Sequence, residues 1–65
     1  MNIIKAYKAM KKGKHVRVDS WPRKETNIAF DKYGWPVYYV GEVPRGTIFA
    51  ASSEDVLSTD WVVVA

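Results

Sequence analysis

The chain of 65 residues has no cysteine and a single histidine, His15. No disulfide and no thiolate metal site can brace it, and one imidazole does not assemble a zinc site. No apolar run approaches the roughly 18 residues that cross a bilayer. Met1-Asn2-Ile3-Ile4-Lys5 also lacks the apolar stretch of a secretory signal, so a cytosolic protein is expected. Gly41 and Gly46 flank Pro44 without the spacing of a P-loop or a dinucleotide fingerprint. Paired acids occur only as Glu54-Asp55, adjacent at a helix start, where they diverge instead of facing across a cleft as glycosidic chemistry needs. No spacing marks a serine and a carboxylate as partners for His15, whose expected role is an exposed strand residue. An enzyme is not expected, and no cofactor is implied.

What is present describes a folded chain. Hydrophobic residues at 48% and charged residues at 26% are ordinary for a globular domain. Residues 1–65 make one domain, and a chain this short removes only about 60% of its unfolded surface from water when it folds alone. Oligomerisation is the remaining way to bury more. Charge is uneven: residues 1–24 hold eight basic side chains against Asp19 alone, whereas residues 25–65 hold Lys32 and Arg45 against six acids. That asymmetry suits an anionic partner at the N-terminal end, or simply keeps an exposed helix face solvated.

Ile3, Ala6, Tyr7 and Met10 recur at helical spacing between lysines, and Gly13 closes the helix. From His15 to Asp19 the period changes to two, with Val16 and Val18 on one face and His15, Arg17 and Asp19 on the other. Trp21-Pro22 ends this strand. Thr26–Phe30 and Trp35–Val40 form a hairpin across Asp31-Lys32-Tyr33-Gly34, with Pro36 at the start of its second strand. Gly41–Gly46 reads as a wide turn before a fourth strand, Thr47–Ala51. Ser52 and Asp55 approximate a capping box for a short helix through about Ser58. Trp61–Val64 is a β-branched strand expected to be buried on both faces. The predicted fold class is α+β: an N-terminal helix packed on a small, mostly antiparallel sheet, with a short helix before the last strand.

Nine aromatic residues exceed what so small a core encloses, so some face solvent or an interface. Trp21 lies beside Pro22, Arg23 and Lys24, where a flat ring and two cations suit a base and a phosphate; the alternative is a lid on the core. Asn27 offers a donor and an acceptor to a base edge, or forms a turn. Phe30 points to the opposite strand face from Asn27, so both reach one ligand only if the strand twists or a second chain contributes. Arg45 offers a bidentate phosphate contact or is simply solvated. Asp60, in Thr59-Asp60-Trp61, accepts from ribose hydroxyls or caps backbone amides.

Two segments together resemble a known family. Ala9-Met10-Lys11-Lys12-Gly13-Lys14-His15-Val16 followed by Trp21, and Ser52-Ser53-Glu54-Asp55-Val56-Leu57-Ser58-Thr59-Asp60-Trp61, are similar to the two ends of the Thoeris anti-defence protein two family, phage proteins that inhibit bacterial Thoeris defence. The resemblance implies a helix on an antiparallel sheet and a homotetramer. It also implies pockets between subunits that sequester a cyclic ADP-ribose isomer, made by a TIR-domain enzyme, without cleaving it. Such a protein acts in the cytoplasm of the infected host. Carried over position by position, it implicates Trp21 and Asp60, with Phe49 replacing an indole in Phe49-Ala50-Ala51. Family members often carry arginine three positions before the tryptophan, where Val18 stands here and Arg17 precedes it. A small basic nucleic-acid-binding module is the alternative, and a blocker of a host protein is a third reading.

Overall fold

The computed structural model describes residues 1–64. Helix α1 (Ile3–Lys11) starts at Asn2, whose side chain accepts from the Lys5 amide, and ends before Gly13 at φ +86°. That left-handed conformation favours glycine, which carries no Cβ to clash. Five strands follow: β1 (His15–Val18), β2 (Thr26–Phe30), β3 (Pro36–Val40), β4 (Val43–Ile48) and β5 (Trp61–Val64). Helix α2 (Ser53–Leu57) precedes β5. All strand pairs are antiparallel and the order across the sheet is β4-β3-β2-β1-β5. The predicted α+β architecture is the one observed.

Register sorts the side chains into two faces. Val16 pairs with Ile28, Ile28 with Tyr38, and Val18 with Trp61, so these line the face that α1 covers through Ala6 and Met10. Phe49, just past β4, completes that core, and Trp61 is its largest fully buried side chain. The opposite face carries His15, Arg17, Asn27, Val37 and Tyr39 in alternation with the first.

Two expectations are corrected here. The fourth strand is Val43–Ile48, not Thr47–Ala51, because Gly41-Glu42 turns tightly and Pro44 and Gly46 lie within an edge strand. A register shift between Val37 and Tyr39 absorbs them, as edge strands and bulges permit. Strand β5 is also an edge: Trp61 is buried, but Val62 and Val63 are exposed. Arg17, on the face opposite Val16 and Val18 as alternation places it, is 6% exposed.

The turn between β2 and β3 leaves Tyr33 and Trp35 exposed, as the aromatic count requires of some rings. Asp31 builds this turn by accepting from the amides of Tyr33 and Trp35, both at 2.9 Å. Among the described residues no helix is long and apolar enough to cross a membrane.

Candidate functional site

The β1–β2 loop brings Trp21 over the aromatic core. Its ring centroid lies 5.6 Å from Trp61, 5.9 Å from Phe49 and 6.4 Å from Tyr38. These edge-on and tilted contacts hold the indole by quadrupole complementarity as well as burial. The ring is half-buried, so one wall stays open. Its Nε1–H donates to Asp55 Oδ1 at 3.1 Å, which fixes the plane of the ring against rotation.

Asp55 earns that position through helix α2. Ser52 Oγ accepts from the Asp55 amide at 3.2 Å and Asp55 Oδ2 accepts from the Ser52 amide at 3.2 Å, a complete capping box. The Asp55 backbone carbonyl also accepts from Trp61 Nε1 at 3.0 Å. One residue at a helix start thereby orients both indoles.

Trp21, Pro22, Arg23, Thr26, Tyr38 and Asp55 line a cleft of about 270 Å³. Burial first, and then the Asp55 carboxylate, push the Tyr38 phenol above its ordinary value. Tyr38 is therefore a neutral hydroxyl at physiological pH, able to donate to an acceptor. An aromatic wall, a guanidinium, two hydroxyls and a carboxylate suit a ligand that combines a flat ring with polar groups.

The other sequence-derived candidates lie elsewhere, with two partial exceptions. Phe49 is 4% exposed and supports the Trp21 ring from inside the core. Asp60 is exposed at the same end of the sheet, where its carbonyl accepts from the Asp19 amide at 2.9 Å. Phe30 stands at the far end of β2, edge-on to Tyr7 on α1. Arg45 is exposed on edge strand β4.

Asn27 is 2% exposed on the opposite face, with Nδ2 donating to the Glu25 and Gly41 carbonyls at 3.0 and 3.1 Å. Those two bonds fix the amide, so its Oδ1 accepts from His15 Nδ1 at 2.7 Å and the proton of neutral His15 sits on Nδ1. His15 is half-buried with its ring 4.6 Å from Tyr39, which corrects the expectation of a merely exposed strand residue.

Thr26, Tyr38 and Asp55 are the cleft residues that sequence reasoning missed. Alternation does place Tyr38 on one face with Val40 and Pro36, but not beside Trp21, since that needs the register. Asp55 was visible only as a helix cap.

Against known families, the model of the Thoeris anti-defense 2-like domain matches residues 1–64. The chain belongs to this family. Its name indicates a Thoeris anti-defence function, and the match spans both ends of the chain and the whole sheet between them. The anti-defence chain thus presents the Trp21 cleft on the segment joining β1 to β2, on strands β2 and β3, and on α2. No match was found among curated proteins or among solved structures.

Proposed function

We propose that this anti-defence protein binds a cyclic ADP-ribose-type signalling nucleotide in the Trp21 cleft and holds it without cleavage, so that the Thoeris effector is not triggered. The observation that carries the reading is the half-open indole of Trp21, locked by Asp55 as one wall of a cleft that also offers Arg23 and Tyr38. A ring held this way stacks on adenine with little ordering cost, and Arg23 meets phosphate. Asp60, at the same end of the sheet, accepts from ribose hydroxyls.

The cleft of about 270 Å³ falls short of the roughly 300–1,000 Å³ that encloses a drug-sized ligand. A sponge needs tight enclosure, since nanomolar affinity corresponds to about −12 kcal/mol. A homo-oligomer, as a tetramer in this reading, closes the cleft with a second copy. Exposed Ile4, Val56 and Leu57 beside an apolar groove between α1 and α2 supply surface for such association. Phe30 and Arg45 then reach a ligand only from a neighbouring copy, while the buried amide of Asn27 is spent on its own chain. The site of action is the cytoplasm of the infected bacterium.

Native mass spectrometry before and after incubation with TIR-generated cyclic ADP-ribose isomers tests the reading. The expected result is an oligomer that gains the ligand mass and releases it intact on heating. Trp21→Ala should weaken binding by about 5- to 150-fold, since a stacked base contributes about 1–3 kcal/mol. A monomer without mass gain would refute the proposal. Binding to DNA or RNA that falls steeply with salt would instead favour the nucleic-acid reading, for which α1 supplies exposed Lys5, Lys8, Lys11 and Lys12.

A further inference from the structure

Arg17 is the buried cation among the described residues, and no carboxylate among them neutralises it closely. Asp19 approaches only to 3.9 Å and its side chain is 76% exposed, so solvent screens that pair. The guanidinium is spent on backbone instead. Nε donates to the Thr26 carbonyl at 3.1 Å, and Nη2 to the carbonyls of Trp21 at 2.9 Å and Arg23 at 3.0 Å. Nη1 reaches the Asp19 carbonyl at 3.4 Å.

All four acceptors lie in the segment from Asp19 to Thr26. Three of them belong to residues that wall the cleft: Trp21, Arg23 and Thr26. Pro22 lies between two of these and has no amide to anchor itself. The segment's own backbone bonds in this stretch include Trp21 N–H to the Val18 carbonyl and Thr26 N–H to the Arg23 carbonyl. Arg17 extends from the face opposite α1, whereas the Trp21 ring packs on the α1-side core. The wall is thus gripped from behind, and the charge that does so is not available to a ligand phosphate.

We propose that Arg17 is the positioning residue of the Trp21 cleft: its guanidinium holds the Trp21–Thr26 wall in the ligand-ready shape before any ligand arrives. The inference rests on the ligand reading above for its functional half. A planar fork of five donors can serve several carbonyls at once, whereas an ammonium on a thinner stem cannot reproduce that geometry. If the wall is ligand-ready only for a fraction of the time, apparent affinity falls by that same fraction.

The test compares wild type with Arg17→Lys and Asp19→Asn by amide hydrogen exchange and by titration with TIR-generated cyclic ADP-ribose isomers. In Arg17→Lys the Trp21 and Thr26 amides should lose nearly all protection, as for a wall ligand-ready only about a tenth of the time, while Val16 and Ile28 keep theirs. The ligand dissociation constant should then rise about tenfold, the inverse of that ligand-ready tenth. Asp19→Asn should change neither. Protection falling equally at Val16 and Ile28 would overturn the proposal, because Arg17 would then merely stabilise the whole fold. Unchanged protection at Trp21 and Thr26, or a loosened wall with unaltered affinity, would overturn it as well. If Arg17→Lys does not fold, the wild-type Arg17 Nε–H serves: slow exchange supports the grip and rapid exchange refutes it. A wild type that binds no ligand, with the wall still loosened selectively in Arg17→Lys, refutes the ligand reading alone and leaves Arg17 as the residue that shapes the wall.

Discussion

Replacing Asp55 by alanine removes two side-chain bonds at once. The carboxylate accepts from Trp21 Nε1 at 3.1 Å and from the Ser52 amide at 3.2 Å, while the bonds made by the Asp55 backbone survive the change. Losing the carboxylate's half of the capping box, with the Ser52 cap itself intact, costs about 0.5–1 kcal/mol, and losing a hydrogen bond to a charged acceptor about 1.5–3 kcal/mol. The indole lies beside an open cleft, so water recovers part of the second amount. The expected destabilisation is about 2 kcal/mol, or about 8–16 °C in Tm for a domain of this size. Asp55→Asn keeps one acceptor but turns an NH₂ toward the other donor, and should lose about half as much. Urea unfolding followed by far-UV circular dichroism measures both, with an unchanged denaturant slope as the check that only stability moved. A loss below about 0.5 kcal/mol for Asp55→Ala, the level of an ordinary surface substitution, would refute the reasoning. It would mean that the carboxylate does not hold Trp21 in solution.

Two further outcomes follow from the same network. Asn27→Leu should destabilise the chain by about 2 kcal/mol in the same unfolding assay, because it strands His15 Nδ1–H and the Glu25 and Gly41 carbonyls. Wild-type stability would refute that accounting. Tyr38, raised by burial and then by Asp55, makes its contribution in full below its unfolded value near pH 10. As pH climbs through the higher folded value the unfolded chain sheds the proton first, so that stability is lost. Tyr38→Phe should flatten this alkaline decline, and an identical decline in both proteins would exclude Tyr38 as its source.

Helices and the first three strands were legible because each carries its own local signal. Gly13 closes a 3.6-residue period that starts at Ile3, and Ser52 with Asp55 spells a capping box in four residues. Strand β4 was not legible, because Pro44 and Gly46 signal a loop unless the strand is known to be an edge. The same gap misassigned β5: a run of valines reads as doubly buried until strand order puts it outermost. Arg17 shows the limit of alternation, which sorts faces but cannot tell a solvated face from one roofed by a loop. Trp21 was visible from its neighbours Pro22 and Arg23. Its partner Asp55 lies 34 residues away in sequence, and only tertiary structure joins them.

The strand order has a consequence for how the cleft comes into being. Strands β2, β3 and β4 are sequential neighbours joined by short turns, so their contacts close small loops. The β1–β5 pair, by contrast, joins the two ends of the chain around everything between them. Short loops forfeit less chain entropy and tend to close earlier. The Trp21–Asp55 bond crosses that late seam, with one partner before the meander and the other after it. A chain that has formed only the meander owns no cleft, so the site is a property of completed assembly. A ligand seated there acts as a latch on the last closure, and it stabilises the whole molecule in proportion to the logarithm of its concentration over Kd.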